Sequence, residues 1–162
     1  MNFIKLKSLV VLFGIGIIML AILVLAFMLY PWTLQFLAHR PEVIYMKWPV
    51  LLLAWATLVP VLCGLLLAAG VLWKVIRGTY FAHATPRLLK LTGSMFLLDF
   101  LLGCAFTAYL NISQPHGLLT QLASYVIMAV VFLDVPIGFA FHLYADIAVQ
   151  ANAYKEETDL TV

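Results

Sequence analysis

The sequence predicts an all-α polytopic membrane protein: four transmembrane helices in an antiparallel bundle. Three observations carry the prediction. Of 162 residues, 65% are hydrophobic and 10% charged, against about half and a quarter in a soluble domain, and mean hydropathy is +1.10. The apolar residues fall into four long runs, each near the roughly 20 residues that cross a hydrocarbon core of about 30 Å. Every Lys and Arg lies between the runs or at the chain ends. This pattern excludes a large soluble catalytic domain, a disordered chain and, with 2 cysteines, a disulfide scaffold. A net charge of +2 is too small for a nucleic-acid surface, so no direct nucleic-acid binding is expected.

Residues 1–150 are read as one membrane domain, with spans near 8–30, 48–73, 91–110 and 117–148, and residues 151–162 as an acidic tail. Ser8 to Tyr30 is a 23-residue run without charge, roughly 34 Å as a helix. It is too long for a signal-peptide core and lacks a cleavage site before Pro31, so it reads as an uncleaved anchor. Tyr30 and Trp32 close it as interfacial aromatics, Pro31 to Lys47 forms a linker, and Tyr45 and Trp48 reopen the membrane. The second span carries Pro60 and is stopped by Lys74, Arg77 and Gly78, cations followed by a glycine. Thr85 and Pro86 read as an N-cap and first-turn pair for the third span. That span ends in the turn cluster Asn111, Ser113, Gln114 and Pro115. The fourth begins near Gly117, and its helical pattern runs on toward Lys155.

Cation placement sets the orientation. Lys5, Lys7, Lys74, Arg77, Arg87, Lys90 and Lys155 share one side, and Arg40 and Lys47 the other. Positive-inside bias puts both termini and the Lys74–Lys90 hairpin in the cytoplasm of a multi-pass cell-membrane protein.

Two acids lie at membrane depth: Asp99 near the centre of the third span and Asp134 near the centre of the fourth. An ionised carboxylate at mid-bilayer costs at least a few kcal/mol. No Lys or Arg is available at that depth, so each acid is expected to face the bundle, and at least one to hold its proton. Pro60 and Pro136 each leave a carbonyl without its helical donor, at Ala56 and Phe132. With Thr57 these groups form a candidate oxygen-rich intramembrane site. One reading is a site for a proton or small cation; the other is hydrogen-bonded packing between helices. Asp134, Gly138, His142, Asp146, Gln150 and Tyr154 recur every four residues, and within that series His142 and Asp146 form a candidate pH-responsive pair. Cys63 and Cys104 sit at different depths, which disfavours a disulfide. Gly64 with Ala68 and Gly103 with Thr107 permit close helix contact, within the chain or in a homo-oligomer. The remaining histidines have no ligand spacing, so no metal and no cofactor are expected. Without an HExxH, CxxC, GxSxG, Walker or dinucleotide motif, neither is enzyme activity.

The cytoplasmic surface offers a basic hairpin and a tail of Glu156, Glu157, Asp159, Leu160 and Val162, whose acidic and apolar residues suit a groove on a protein partner. Ile76 through Phe81, continuing by Thr85, Pro86 and Arg87 to Gly93, form a glycine-then-aromatic loop entering the third helix. Tyr154 through Val162 form an acidic tail ending in Leu-Thr-aliphatic. On these residues the chain resembles the YoaS-like domain-of-unknown-function family of small bacterial four-helix membrane proteins. It departs from the family pattern after Phe81, where Ala82, His83 and Ala84 replace a more charged segment. The resemblance implies no chemistry, but it does imply a neighbouring small helix-turn-helix regulator as a cytosolic partner. The expected function is therefore a membrane-embedded regulatory or interaction protein, with Arg77, Gly78, Phe81, Arg87 and the tail as partner-binding candidates. The alternative is a small proton- or cation-coupled transporter or channel subunit using the acid pair.

Overall fold

A computed structural model describes residues 3–38, 41–78, 84–113 and 118–160. They form α1 (Phe3–Ala38), a short 3₁₀ segment (Pro41–Met46), α2 (Lys47–Arg77), α3 (Ala84–Ser113), α4 (Leu118–Val131) and α5 (Asp134–Leu160), and no strand is found among them. Four segments are long and apolar enough to cross a membrane: Leu6–Gln35, Ile44–Arg77, Thr85–Ser113 and Thr120–Tyr154.

The helices outrun the apolar runs that nucleate them. α1 continues through Pro31 to Ala38 and takes up much of the expected Pro31–Lys47 linker. One missing amide at Pro31 costs less than ending a helix among apolar side chains, where every unpaired backbone group goes unsolvated. Lys47 Nζ lies 5.2 Å from the ring centres of both Tyr30 and Trp48, a cation seated between aromatics that joins α1 to α2 at the expected interface. α2 runs through Pro60 and closes at Gly78, whose φ of 75° is the left-handed conformation that glycine supplies at a helix end. α3 starts one residue before Thr85, and the buried Thr85 hydroxyl has no hydrogen-bond partner. Thr85 therefore does not act as the cap expected of it.

α3 is the centre of the bundle. It packs against α2, α4 and α5, whereas α1, among the described residues, packs chiefly against α2 and the 3₁₀ segment. Pairings across the helices run in opposite order, as antiparallel neighbours must. Along α3, Lys90, Phe96, Phe100, Thr107 and Asn111 meet Asp146, Phe141, Phe132, Met128 and Ser124 in turn. Against α2, Gly64 meets Phe96 while Ala54 clusters with Phe106 and Leu110. Outside these seams the bundle is covered by exposed Phe, Leu, Ile and Val side chains, from Phe13 and Phe27 on α1 to Phe139 and Leu143 on α5. Such a surface is compatible with a multi-pass membrane protein and far exceeds the apolar patches of soluble monomers.

Glycine sets the α3–α5 distance. A Cβ on Gly93 would lie 2.6 Å from the Gly138 carbonyl oxygen, and one on Gly138 would lie 3.0 Å from the Gly93 carbonyl oxygen. Backbone faces backbone, so neither position can yield by rotating a side chain. Gly64 and Ala68 are likewise turned inward, which assigns them to internal packing.

Gly93→Ala or Gly138→Ala is expected to destabilise the detergent-solubilised protein by about 1–3 kcal/mol, the usual cost of overpacking. Gly14→Ala should be neutral or slightly stabilising, since nothing lies within 4 Å of that position. Thermal unfolding of the three variants measures the difference.

Candidate functional site

The site is built where α3 passes the junction of α4 and α5. The fourth apolar segment is not the one continuous helix expected to run past Pro136 toward Lys155. It breaks at Phe132 and Leu133, and α5 restarts at Asp134. Pro136 falls in the first turn of α5, where a missing amide is tolerated because first-turn amides have no intrahelical acceptor. Across the break, Leu133 N–H donates to the Val130 carbonyl at 3.0 Å, a tightened turn, and Ile137 N–H donates to the Leu133 carbonyl at 3.4 Å. Asp134 thereby occupies the positive end of the α5 dipole, the helix position best suited to a carboxyl group.

Asp99 comes from the middle of α3, and both acids are buried, with exposures of 3% for Asp99 and 8% for Asp134. The two acids are neighbours in the bundle. Two carboxylates have no donor between them, and a direct hydrogen bond between the acids needs a proton on one of them. Asp99 Oδ1 and Asp134 Oδ2 are buried without any hydrogen-bond partner. Phe100 and Phe132 pack at 5.6 Å beside the break, and Phe96 and Phe141 stack at 5.9 Å on the side toward the start of α3. Val131 seats on Gly103 on the opposite side.

Other expected members are placed differently. The register of α2 on α3 sets buried Pro60 near the depth of Asp99. The Thr57 hydroxyl is directed instead to its own helix, donating to the Ala54 carbonyl at 2.8 Å. His142 and Asp146 do not pair. Asp146 accepts an ion pair from Lys90 at 3.0 Å across to α3, and the His142 ring packs beside Gly93. The neighbouring helix brings a full cation to the carboxylate, which outcompetes an imidazole one turn away on the same helix. Half exposed, the Lys90–Asp146 bridge contributes at most about 1 kcal/mol. Among the described residues, no three His, Cys, Asp or Glu side chains gather as metal ligands, and both cysteines are free.

Of the partner-binding candidates, Arg77 stacks over Trp73 at 5.1 Å, Gly78 closes α2, and Arg87 and Glu157 are exposed. Phe81 and Val162 lie outside the described residues, as do the side chains of Glu156, Asp159 and Leu160. Sequence reasoning missed a polar seam between α3 and α4. Asn111 Nδ2 donates to the Thr107 carbonyl at 2.8 Å and to Ser124 Oγ at 3.2 Å, and Thr107 Oγ1 lies 3.4 Å from Met128 Sδ. The signal was present as Thr107 and Asn111 one turn apart facing Ser124 and Met128 one turn apart, but Asn111 reads as part of a turn in isolation.

Removing one acid leaves its partner buried and unmet. Asp99→Leu and Asp134→Leu are each expected to lower stability, and the double variant to lose less than the two combined, with a coupling of about 0.5–2 kcal/mol. Additive losses in a thermal double-mutant cycle would show that the acids do not depend on each other.

No curated protein and no solved structure matches the chain. A family model described as "Protein of unknown function (DUF2975)" matches residues 32–162, from the last turns of α1 through the tail. That match covers most of the chain, including both acids, the helix break and the basic hairpin, and the protein belongs to this family.

Proposed function

We propose that the protein is a membrane-embedded regulatory protein of the bacterial cell membrane, with both termini in the cytoplasm. It engages a cytosolic protein through the α2–α3 hairpin and the C-terminal tail. The observation that carries this reading is the continuity of α5, one unbroken helix from Asp134 in the acid pair to Leu160 in the tail, about 40 Å long. A change in how Asp134 meets Asp99 shifts a rigid rod whose far end is the tail. Gly93 against Gly138 and Lys90 against Asp146 hold that rod to α3 along the way. Regulation of this kind needs two bundle arrangements with different affinity for the partner, and the partner can shift their balance only by that difference. Positive-inside bias supports the orientation. The acidic tail favours a partner with a basic surface, and a small helix-turn-helix regulator is the class that the sequence resemblance implies.

The test compares the full chain with one truncated after Gln150, both purified from native membranes in mild detergent. A soluble protein is expected to accompany only the full chain and, once purified, to bind a synthetic peptide of residues 151–162. If both versions insert correctly and emerge alone, stable binding through the tail is refuted.

A second reading rests on the two buried acids themselves, Asp99 and Asp134: a small proton- or cation-coupled transporter. It predicts flux in proteoliposomes that is abolished by Asp99→Asn or Asp134→Asn without loss of assembly. Wild-type vesicles no more permeable than empty ones exclude it.

A further inference from the structure

On its inner face α5 sets Asp134, Gly138, Phe141, Ala145 and Ala148 toward α3, at the alternating four- and three-residue spacing of a narrow packing stripe. Apart from Phe141 and the acid, these side chains are small and bury little apolar area. Between Gly138 and the tail, the polar contact that joins α5 to α3 among the described residues is Lys90 to Asp146, at 3.0 Å. This end of α5 is therefore held to the bundle by few groups.

His142 lies among them, one turn from Gly138 and one turn from Asp146. The Cδ2–Nε2 edge of its half-buried ring fills the place of the side chain that Gly93 lacks: a Cβ on Gly93 would lie 2.8 Å from Cδ2 and 3.2 Å from Nε2. The ring has no hydrogen-bond partner among the described residues. A neutral imidazole serves there as a flat filler. An imidazolium carries a full charge and an N–H donor on each nitrogen, and the Gly93 surface gives it nothing to donate to. The charged and titratable groups around it are Lys90 and, deeper, Asp99 on α3, and Asp146 and Asp134 on α5. Lys74 and Arg77 end α2 at the same level, past Val71, which shares a cluster with Ala145 and Ala148. α4 meets α5 near the break and brings no charged residue. Asp146 is the acceptor within one helical turn, and Lys90 already holds it.

We propose that His142 is a proton-operated release for the tail end of α5. Neutral, it fills the Gly93 seat and leaves Asp146 to Lys90. Protonated, it quits the seat and turns to Asp146, so that the carboxylate is satisfied within α5 and both ties to α3 loosen together. The Lys90–Asp146 bridge is half exposed and weak enough for a neighbouring cation to displace, and histidine is the side chain whose charge changes near physiological pH. The proposal deepens the proposed function and rests on α5 being its moving element; it names acidification on the side of the tail as what moves it.

Spin labels test it. Arg87→Cys and Ala153→Cys, both at exposed positions, are labelled in a full-length chain carrying Cys63→Ser and Cys104→Ser and reconstituted in lipid vesicles, and pulsed electron paramagnetic resonance reads the distance between them. Lowering the pH from about 7.5 to about 5.5 is expected to lengthen it by about 2 Å or more, the size of a helix shift at a packed interface. His142→Asn should abolish the response by removing the titrating group, and Asp146→Asn should abolish it by removing the carboxylate for which the two cations compete. A distance that does not change with pH in the parent chain overturns the proposal, as does a response retained by either variant. Should His142→Asn fail to insert, His142→Gln replaces it with the same two outcomes. The measurement uses the purified chain alone, so the release and the retention of a partner can fail independently.

Discussion

Two carboxyl groups are buried at mid-depth with no cation to neutralise them, and much of the architecture answers that constraint. Each acid can be housed cheaply only against the other, so α3 and the fourth segment must be in register to within a turn. That register brings Gly93 onto Gly138, Phe96 onto Phe141 and Gly103 under Val131. The break at Phe132 and Leu133 belongs to the same solution. Restarting the helix at Asp134 places that acid at the positive end of a dipole, which an uninterrupted helix does not offer at its middle. Pro136 makes the restart cheap.

The central position of α3 follows from the same arrangement. It carries one acid of the pair and contacts three of the other helices, while α1 contributes little to the interior. Residues 1–31, which make up most of α1, also fall outside the part of the chain that the family model matches. The acid pair, the glycine contact and the helix break all lie in α2 to α5. α1 joins them through an interfacial seam, with Lys47 between Tyr30 and Trp48 and the Trp55 indole donating to the Ala26 carbonyl at 3.3 Å.

Much of this was legible in the sequence. Four apolar runs separated by charge determine span number directly, because a bilayer admits few alternatives to a helix of that length. The depth of Asp99 and Asp134 could be counted from the span ends, and burial without a cation argued for their meeting. Rotation about each helix axis was less accessible. Asp146 is one turn from His142 in sequence, yet which residue of α3 stands opposite depends on how two helices are turned toward each other, and that brought Lys90. Thr57 was at the right depth but had an acceptor in its own helix. The helix break was not foreseen because a proline specifies a lost hydrogen bond, not whether the chain absorbs that loss by bending or by starting again. Polar groups near a span end resemble a turn, so the Thr107–Asn111 face emerged only when Ser124 and Met128 were placed against it.

The interruption of the fourth segment also bears on how the chain enters a membrane during synthesis. α4 alone is 14 residues, about 21 Å, too short to cross a core of about 30 Å. The residues that complete the crossing begin with a carboxyl group. As an isolated nascent segment it is a poor candidate for lateral release into lipid, since Asp134 would face hydrocarbon alone. α3 is synthesised immediately before it and already carries Asp99, the polar group that makes Asp134 acceptable. In a chain that spans a membrane as its composition predicts, the third and fourth segments are therefore expected to enter lipid together as a hairpin, with the acid contact formed at or before their release.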